Sequence, residues 1–252
     1  MSATVAAIHR YPIKGLNHQP LDAVELATGQ ALPGDRQFAI AHGASKFDPA
    51  DPQWVHPRNF LALLRNAKLA TLRIDYDDTT GVLIINRDGK QVARGTITTL
   101  MGVNLINQFL AAYLRDEAVG TPKLVQAPGI SFTDTKDDYV SLINLASVKD
   151  LERVARRPVD PLRFRGNLLV EGMDAWSELG LVDREVRIGQ ARLQVVDRIG
   201  RCAATEVNPN TAERDINIPR LLMGGYGHAD CGIYLQVVQG GRIAVGDNVA
   251  VA

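Results

Sequence analysis

Apolar and polar residues alternate with a period of two over much of this chain. Ala70, Leu72, Ile74 and Tyr76 put one apolar face on a strand, and a turn at 77–81 leads into the apolar run Val82-Leu83-Ile84-Ile85. Arg87-Asp88-Gly89-Lys90 reads as a hairpin turn, with glycine supplying the positive φ. Val24 with Leu26, and Phe38 with Ile40, mark two earlier strands, and Pro57 predicts a short helix over 57–64. Val103, Ile106, Leu110 and Leu114 fall at helical spacing and predict one long helix over 98–115.

Residues 117–122 read as a loop. Strands are predicted at 123–127 and 139–143, then a helix over 147–156, with Ser147 and Asp150 as a capping box and Leu151 and Val154 facing the core. After Pro158 strands return at 167–171, 185–188, 193–196, 233–238 and 243–251. Many short strands with few helices predict an α+β chain that is mostly β, built from barrel-like units rather than a doubly wound sheet. The boundary falls in the loop, giving a first domain at 1–117 that includes the long helix and a second at 118–252.

Composition narrows the function. Lys+Arg and Asp+Glu both number 28, so the net charge is zero, and a role as a general nucleic-acid binder is not expected. No stretch reaches the roughly 20 apolar residues that span a bilayer. The first residues lack the features of a secretory signal, so the expectation is a cytoplasmic protein without a membrane partner. Neither a Gly-x-Gly-x-x-Gly nor a Walker loop is present.

Two stretches carry candidate chemistry. Cys202 follows a strand pattern broken by Gly200 and sits beside Arg198 and Arg201. Positive neighbours stabilise a thiolate, a nucleophile and soft metal ligand. The alternative, a small packing cysteine, stands beside that reading. The run 153–167 holds five arginines against one acid, Asp160. Arg163 and Arg165, alternating about Phe164, are expected to share one face of an extended segment and to chelate an anion. Arg153, Arg156 and Arg157 are read as serving a helix end. Lys14 and Arg36 each neighbour a glycine–containing turn, at Gly15 and Gly34. Cys231 is read as packing.

Seven pieces occur in a familiar order: Tyr11-Pro-Ile-Lys14, Gly34-Asp-Arg36, Ser141-Leu-Ile-Asn144, Arg163-Phe-Arg-Gly-Asn167, Arg201-Cys202 with Thr205 and Asn208-Pro209, Cys231-Gly-Ile-Tyr234, and Val245-Gly-Asp247. In that order the chain resembles the MOSC superfamily, named for the C-terminal domain of molybdenum cofactor sulfurases. Its full-length arrangement looks like that of the amidoxime-reducing component and its bacterial relatives. The resemblance implies an N-terminal β-barrel domain followed by a β-barrel MOSC domain with a few short helices. It implies a molybdenum cofactor, a molybdopterin whose metal is ligated by Cys202, which is also the catalytic centre. It implies cofactor contacts from Lys14, Gly15, Arg36, Ser141, Asn144, Arg163, Arg165, Asn167, Arg201, Thr205 and Tyr234. The implied activity is reduction of N-hydroxylated small molecules by metal-based oxygen removal. Because the chain offers two cysteines and closes at Ala252 without a cysteine cluster, electrons are expected from a separate flavin or iron–sulfur protein. The rival expectation is a sulfur or cofactor carrier that uses Cys202 without turnover. Gly15 and Gly200 stand where the amidoxime-reducing proteins more often have serine, and Gly166 where they have proline. No aminotransferase-like domain is present, so pyridoxal-phosphate chemistry is not expected.

Overall fold

The computed structural model describes residues 3–127 and 129–251. Its strands are β1 (Ala3–Arg10), β2 (Gln19–Leu21), β3 (Ala23–Leu26), β4 (Phe38–Ala41), β5 (Leu72–Asp77), β6 (Val82–Arg87) and β7 (Lys90–Thr96). Helix α1 (Leu100–Tyr113) follows, then β8 (Lys123–Gln126), β9 (Val140–Asn144), helix α2 (Leu145–Ala155), β10 (Leu168–Glu171), β11 (Glu185–Ile188) and β12 (Ala191–Gly200). Helix α3 (Ile218–Tyr226), β13 (Asp230–Gln239), β14 (Gly241–Ala244) and β15 (Asn248–Val251) complete the order. The chain is mostly β with three α-helices among the described residues.

Seven strands close into a barrel in the order β10-β9-β13-β12-β11-β15-β1, with β1 pairing back onto β10 and β2 added outside β1. All these pairs are antiparallel except β9–β10, which are parallel and joined through α2. Parallel neighbours need such a crossover. Closure comes from the far end of the chain: Val5 and Ile8 of β1 register with Val170 and Leu168, and Thr4 with Asn248. The barrel interior packs Val5, Ile8, Leu142, Leu168, Val195, Ile233 and their neighbours.

Strands β9 and β10 and the first half of β13 are covered on both faces. Leu142, Leu168 and Ile233 point inward, while Ile143, Leu169 and Cys231 join Leu151 of α2 and Leu222 of α3 in a second core. Two-sided burial leaves every residue of β9 buried, the polar Ser141 and Asn144 included. Residues 3–117 contribute β1 to the barrel. They also add β2 outside β1 and β3, which pairs with β14, and otherwise form the sheet β5-β6-β7, with α1 over it, and β4, which pairs with β8. The β6–β7 hairpin turns at Asp88 (φ 50°) and Gly89 (φ 73°), as the sequence led us to expect.

Three local expectations are corrected. The helix over 57–64 is a single 3-10 turn, Pro57–Asn59. Beyond it the Leu61 N–H donates to the Ile40 carbonyl at 2.8 Å and Phe60 bridges Ala41, so pairing with β4 wins over helix extension. Helix α2 begins earlier than predicted, capped by Asn144, whose side chain accepts from the Ala146 N–H. Ser147 is fully buried and donates to Glu178 instead of capping. Helix α3 was not foreseen. Among the described residues no helix is long and apolar enough to cross a membrane.

Candidate functional site

The segment Tyr11–Lys14 runs beside 36–38: the Arg36 N–H donates to the Tyr11 carbonyl at 2.7 Å, and the Lys14 N–H to the Phe38 carbonyl at 2.8 Å. The two segments carry Lys14 and Arg36 to the end of the barrel where β12 stops at Gly200. There Arg201 and Cys202 leave the strand, and Thr205, in the 3-10 turn Ala203–Glu206, ties the Cys202 carbonyl through its N–H at 3.1 Å and its hydroxyl at 2.9 Å. Ser141 and Tyr234 sit opposite one another on β9 and β13. The result is a cleft of about 140 Å³ between the 11–36 segments and the barrel end.

Lys14, Gly15, Arg36, Ser141, Arg163, Arg165, Arg201, Cys202, Thr205 and Tyr234 all line this cleft. Asn144 and Asn167 do not. Asn144 caps α2 and donates to Glu178 and to the Asp174 carbonyl, both at 2.8 Å. Asn167 accepts from the Ser141 N–H and hydroxyl and donates to the His9 carbonyl, so it sews β9 and β1 to the start of β10. The Ser141 hydroxyl is spent on that contact.

The two loop arginines part company. Residues 161–164 form a 3-10 turn and Arg165 takes φ 53°, so no extended segment places Arg163 and Arg165 on one face. Arg163 is buried and pairs with Asp215 at 2.6 Å, and it also donates to the Glu206 carbonyl at 3.0 Å. It clamps the Cys202 turn to the strand-end loops. Arg165 donates to the Leu16 carbonyl at 2.7 Å and lies over the Tyr11 ring, and its Nη2 is buried without a partner. Of the helix arginines, Arg157 pairs with Asp215 and Arg153 with Asp150. Arg198 turns to the Leu179 carbonyl, which leaves Arg201 as the basic neighbour facing the cleft with Cys202.

Five cationic side chains line the cleft against one carboxylate, Asp134. Asp134 pairs with Lys14, Asp35 with Arg36, and Asp215 with Arg163. Among the described residues Arg165 and Arg201 have no carboxylate within ion-pair distance; Arg201 donates to the Cys231 and Phe164 carbonyls. Burial, then the nearby Arg36 charge, pulls Arg165 down to about 10, and burial lowers Lys14 and Arg201 as well. Cations held against such desolvation favour an anion arriving from outside. Cys202 is exposed, whereas Cys231 is buried and its thiol is pushed up to about 12, chiefly by burial. Asp134, which sequence reasoning missed, lies in a polar loop that reads like any solvent-exposed connection.

The MOSC domain family matches residues 129–250. Residues 129–250 are a MOSC domain. The chain is 27% identical over 230 residues to a molybdenum cofactor sulfurase of Caenorhabditis briggsae, covering 87% of this chain and 31% of that protein. A molybdenum cofactor sulfurase of Caenorhabditis elegans is 26% identical, over 88% of this chain and 31% of its own length. The chain thus spans about a third of the curated relatives it matches. Among solved structures, the YuaD protein from Bacillus subtilis aligns over 100% of this chain and 96% of its own, at 12% identity and a TM-score of 0.47. YiiM from Geobacillus stearothermophilus aligns over 45% of this chain and 53% of its own, at 18% identity and a TM-score of 0.37. At those scores the likenesses establish neither fold nor function.

The MOSC domain supplies Cys202, Arg165 and Arg201 to the cleft, and the preceding segments supply Lys14 and Arg36. This donor set fits a molybdenum cofactor. An exposed thiol suits a soft, sulfur-rich metal centre. Guanidinium groups suit a phosphate, and the orphaned Arg165 Nη2 is a donor lacking an acceptor.

Proposed function

We propose that the chain binds a molybdenum cofactor through Cys202 and reduces N-hydroxylated compounds with electrons from a separate flavin or iron–sulfur protein. The observation that carries this reading is the exposed Cys202 in one cleft with Lys14, Arg36, Arg165 and Arg201. When bound, the cofactor supplies a two-electron centre for removing oxygen from an N–OH group. The balance is R–C(=NOH)NH₂ plus two electrons and two protons giving R–C(=NH)NH₂ and water. The chain's own part is to hold the cofactor. Cys202 would offer its sulfur to the metal, Arg165 and Arg201 would pair with the cofactor's anionic groups, and Arg36 is held in place by Asp35. Lys14, tied to Asp134, borders the same space. Among the described residues no group of three or more His, Cys, Asp or Glu could hold a metal ion, so an external electron donor fits the reading. Free thiols suit the cytoplasm.

The sulfurase names of the curated relatives favour a second reading, a cofactor or sulfur carrier using the same Cys202. Turnover separates the two. Protein loaded in a molybdenum-competent host is assayed with benzamidoxime and a chemically reduced viologen. Benzamidine should form, and Cys202→Ala should abolish it. Absence of turnover at full molybdenum occupancy moves the assignment to the carrier.

A further inference from the structure

Cys202 borders a second cavity, of about 250 Å³, that shares Ala62, Asp134, Cys202 and Ala204 with the basic cleft. Its other walls include Pro57, Phe60 and Leu64, and its far end carries Arg58 and Arg65. The far end is identified by a third groove, which Arg58 and Arg65 line but Cys202 and Asp134 do not. Both arginines are exposed, and among the described residues neither has a carboxylate within ion-pair distance. Asp116 and Glu117 line that outer groove without pairing them.

The cavity is therefore polarised. Its inner end holds the thiol and one carboxylate, its middle is apolar, and its outer end is cationic. A dry cavity of about 150 Å³ already accommodates a benzene ring, so this one has room for a single aromatic ring. A cofactor held in the basic cleft through Cys202 leaves this second cavity as the approach to the same sulfur. An amidoxime presents N–H and O–H donors at one end. Asp134 gives its Oδ1 to the Lys14 ammonium, and its Oδ2 can accept such donors and turn that end toward Cys202. Unpaired guanidinium groups at the other end bind a carboxylate or phosphate through paired hydrogen bonds.

We propose that this cavity is the substrate vestibule, and that it selects N-hydroxylated aromatic compounds bearing an anionic group opposite the N–OH. This rests on the reductase reading above. The test compares benzamidoxime with its 4-carboxy derivative, using molybdenum-loaded full chain and reduced viologen. The carboxylated substrate should show a kcat/KM higher by about tenfold, the size of one charge-assisted contact. In the double variant Arg58→Ala/Arg65→Ala the ratio should fall to about one, with molybdenum content unchanged. A titration of the full chain with 4-carboxybenzamidine, read by calorimetry, should show binding that the double variant weakens by a similar factor. Equal kcat/KM values in the wild type, or a preference retained in the double variant, would overturn the proposal. If loaded wild type turns over neither substrate, the reductase reading fails. The titration then decides the vestibule alone: binding lost in the double variant keeps it, and unchanged binding removes it.

Discussion

The Arg165 guanidinium lies over the Tyr11 ring with its Cζ 4.2 Å from the centroid, and Arg36 approaches the same ring at 5.0 Å. One buried ring thus positions two of the cleft's cations. Its hydroxyl has no partner, and burial pushes the phenol up to about 12, so it stays neutral. Tyr11→Phe deletes only the orphaned hydroxyl and should leave stability unchanged or raise it by up to about 1 kcal/mol. Tyr11→Leu removes the stacking surface and should cost about 2–4 kcal/mol in urea unfolding, with weaker cofactor retention.

Arg163 and Arg165 should separate stability from binding. Buried Arg163 pairs with half-buried Asp215, and Arg163→Gln removes the nearer of the two arginines on that carboxylate. Asp215 keeps Arg157 and the Asn208 amide, so about 1–3 kcal/mol should be lost. Arg165→Gln removes a cation that burial and Arg36 already disfavour, and should cost about 1 kcal/mol or less. Molybdenum retention on dialysis should show the reverse order, with Arg165→Gln losing cofactor while still folded.

The two glycines that stand in place of serine differ in kind. Gly15 has φ +84°, and a Cβ there would lie 2.8 Å from the Leu69 Cδ1. Gly15→Ser should cost about 1–3 kcal/mol in thermal unfolding. A Cβ on Gly200 meets only the Asp230 Oδ1, at 3.7 Å. Gly200→Ser should stay within about 0.5 kcal/mol of wild type.

These contrasts mark what a linear reading can reach. The strands at 185–188 and 82–85 were legible because alternation and turn residues act locally. Lys14, Arg36, Arg165, Arg201 and Cys202, which the motif order grouped, line one cleft, since each lies in a loop beside a strand end. Helix α3 escaped because Pro219, Gly224 and Gly225 read as breakers, although Pro219 stands in its first turn and Gly225 fits against Val154. Closure of β1 onto β10 and β15 depends on pairing between opposite ends of the chain, which no local period encodes. Asn144 and Asn167 illustrate a related gap: a motif asparagine reads alike whether it faces a ligand or, as here, satisfies backbone groups between elements.

Stability should depend on pH through His9. The ring is buried, 4.2 Å from His18, and burial, followed by the His18 charge, lowers its pKa from 6.5 to about 4. Below pH 6.5 the unfolded chain takes up a proton that the folded chain refuses. Its contribution is therefore complete above pH 6.5 and declines as pH falls toward 4. About 2 kcal/mol should be lost between pH 7 and 4.5. His18, also lowered mainly by burial, adds in the same direction. In His9→Phe the decline over that window should be visibly shallower in urea titrations.

The central claim is that Cys202 holds a molybdenum cofactor in the basic cleft. Wild type, Cys202→Ser and Cys231→Ser are purified without air from a molybdenum-competent host, and metal is measured by plasma mass spectrometry. Wild type and Cys231→Ser should carry close to one molybdenum per chain, and Cys202→Ser should lose most of it, because an alcohol stays protonated where a thiol yields thiolate. Equal molybdenum in Cys202→Ser and wild type, or none in any of the three, would contradict the account.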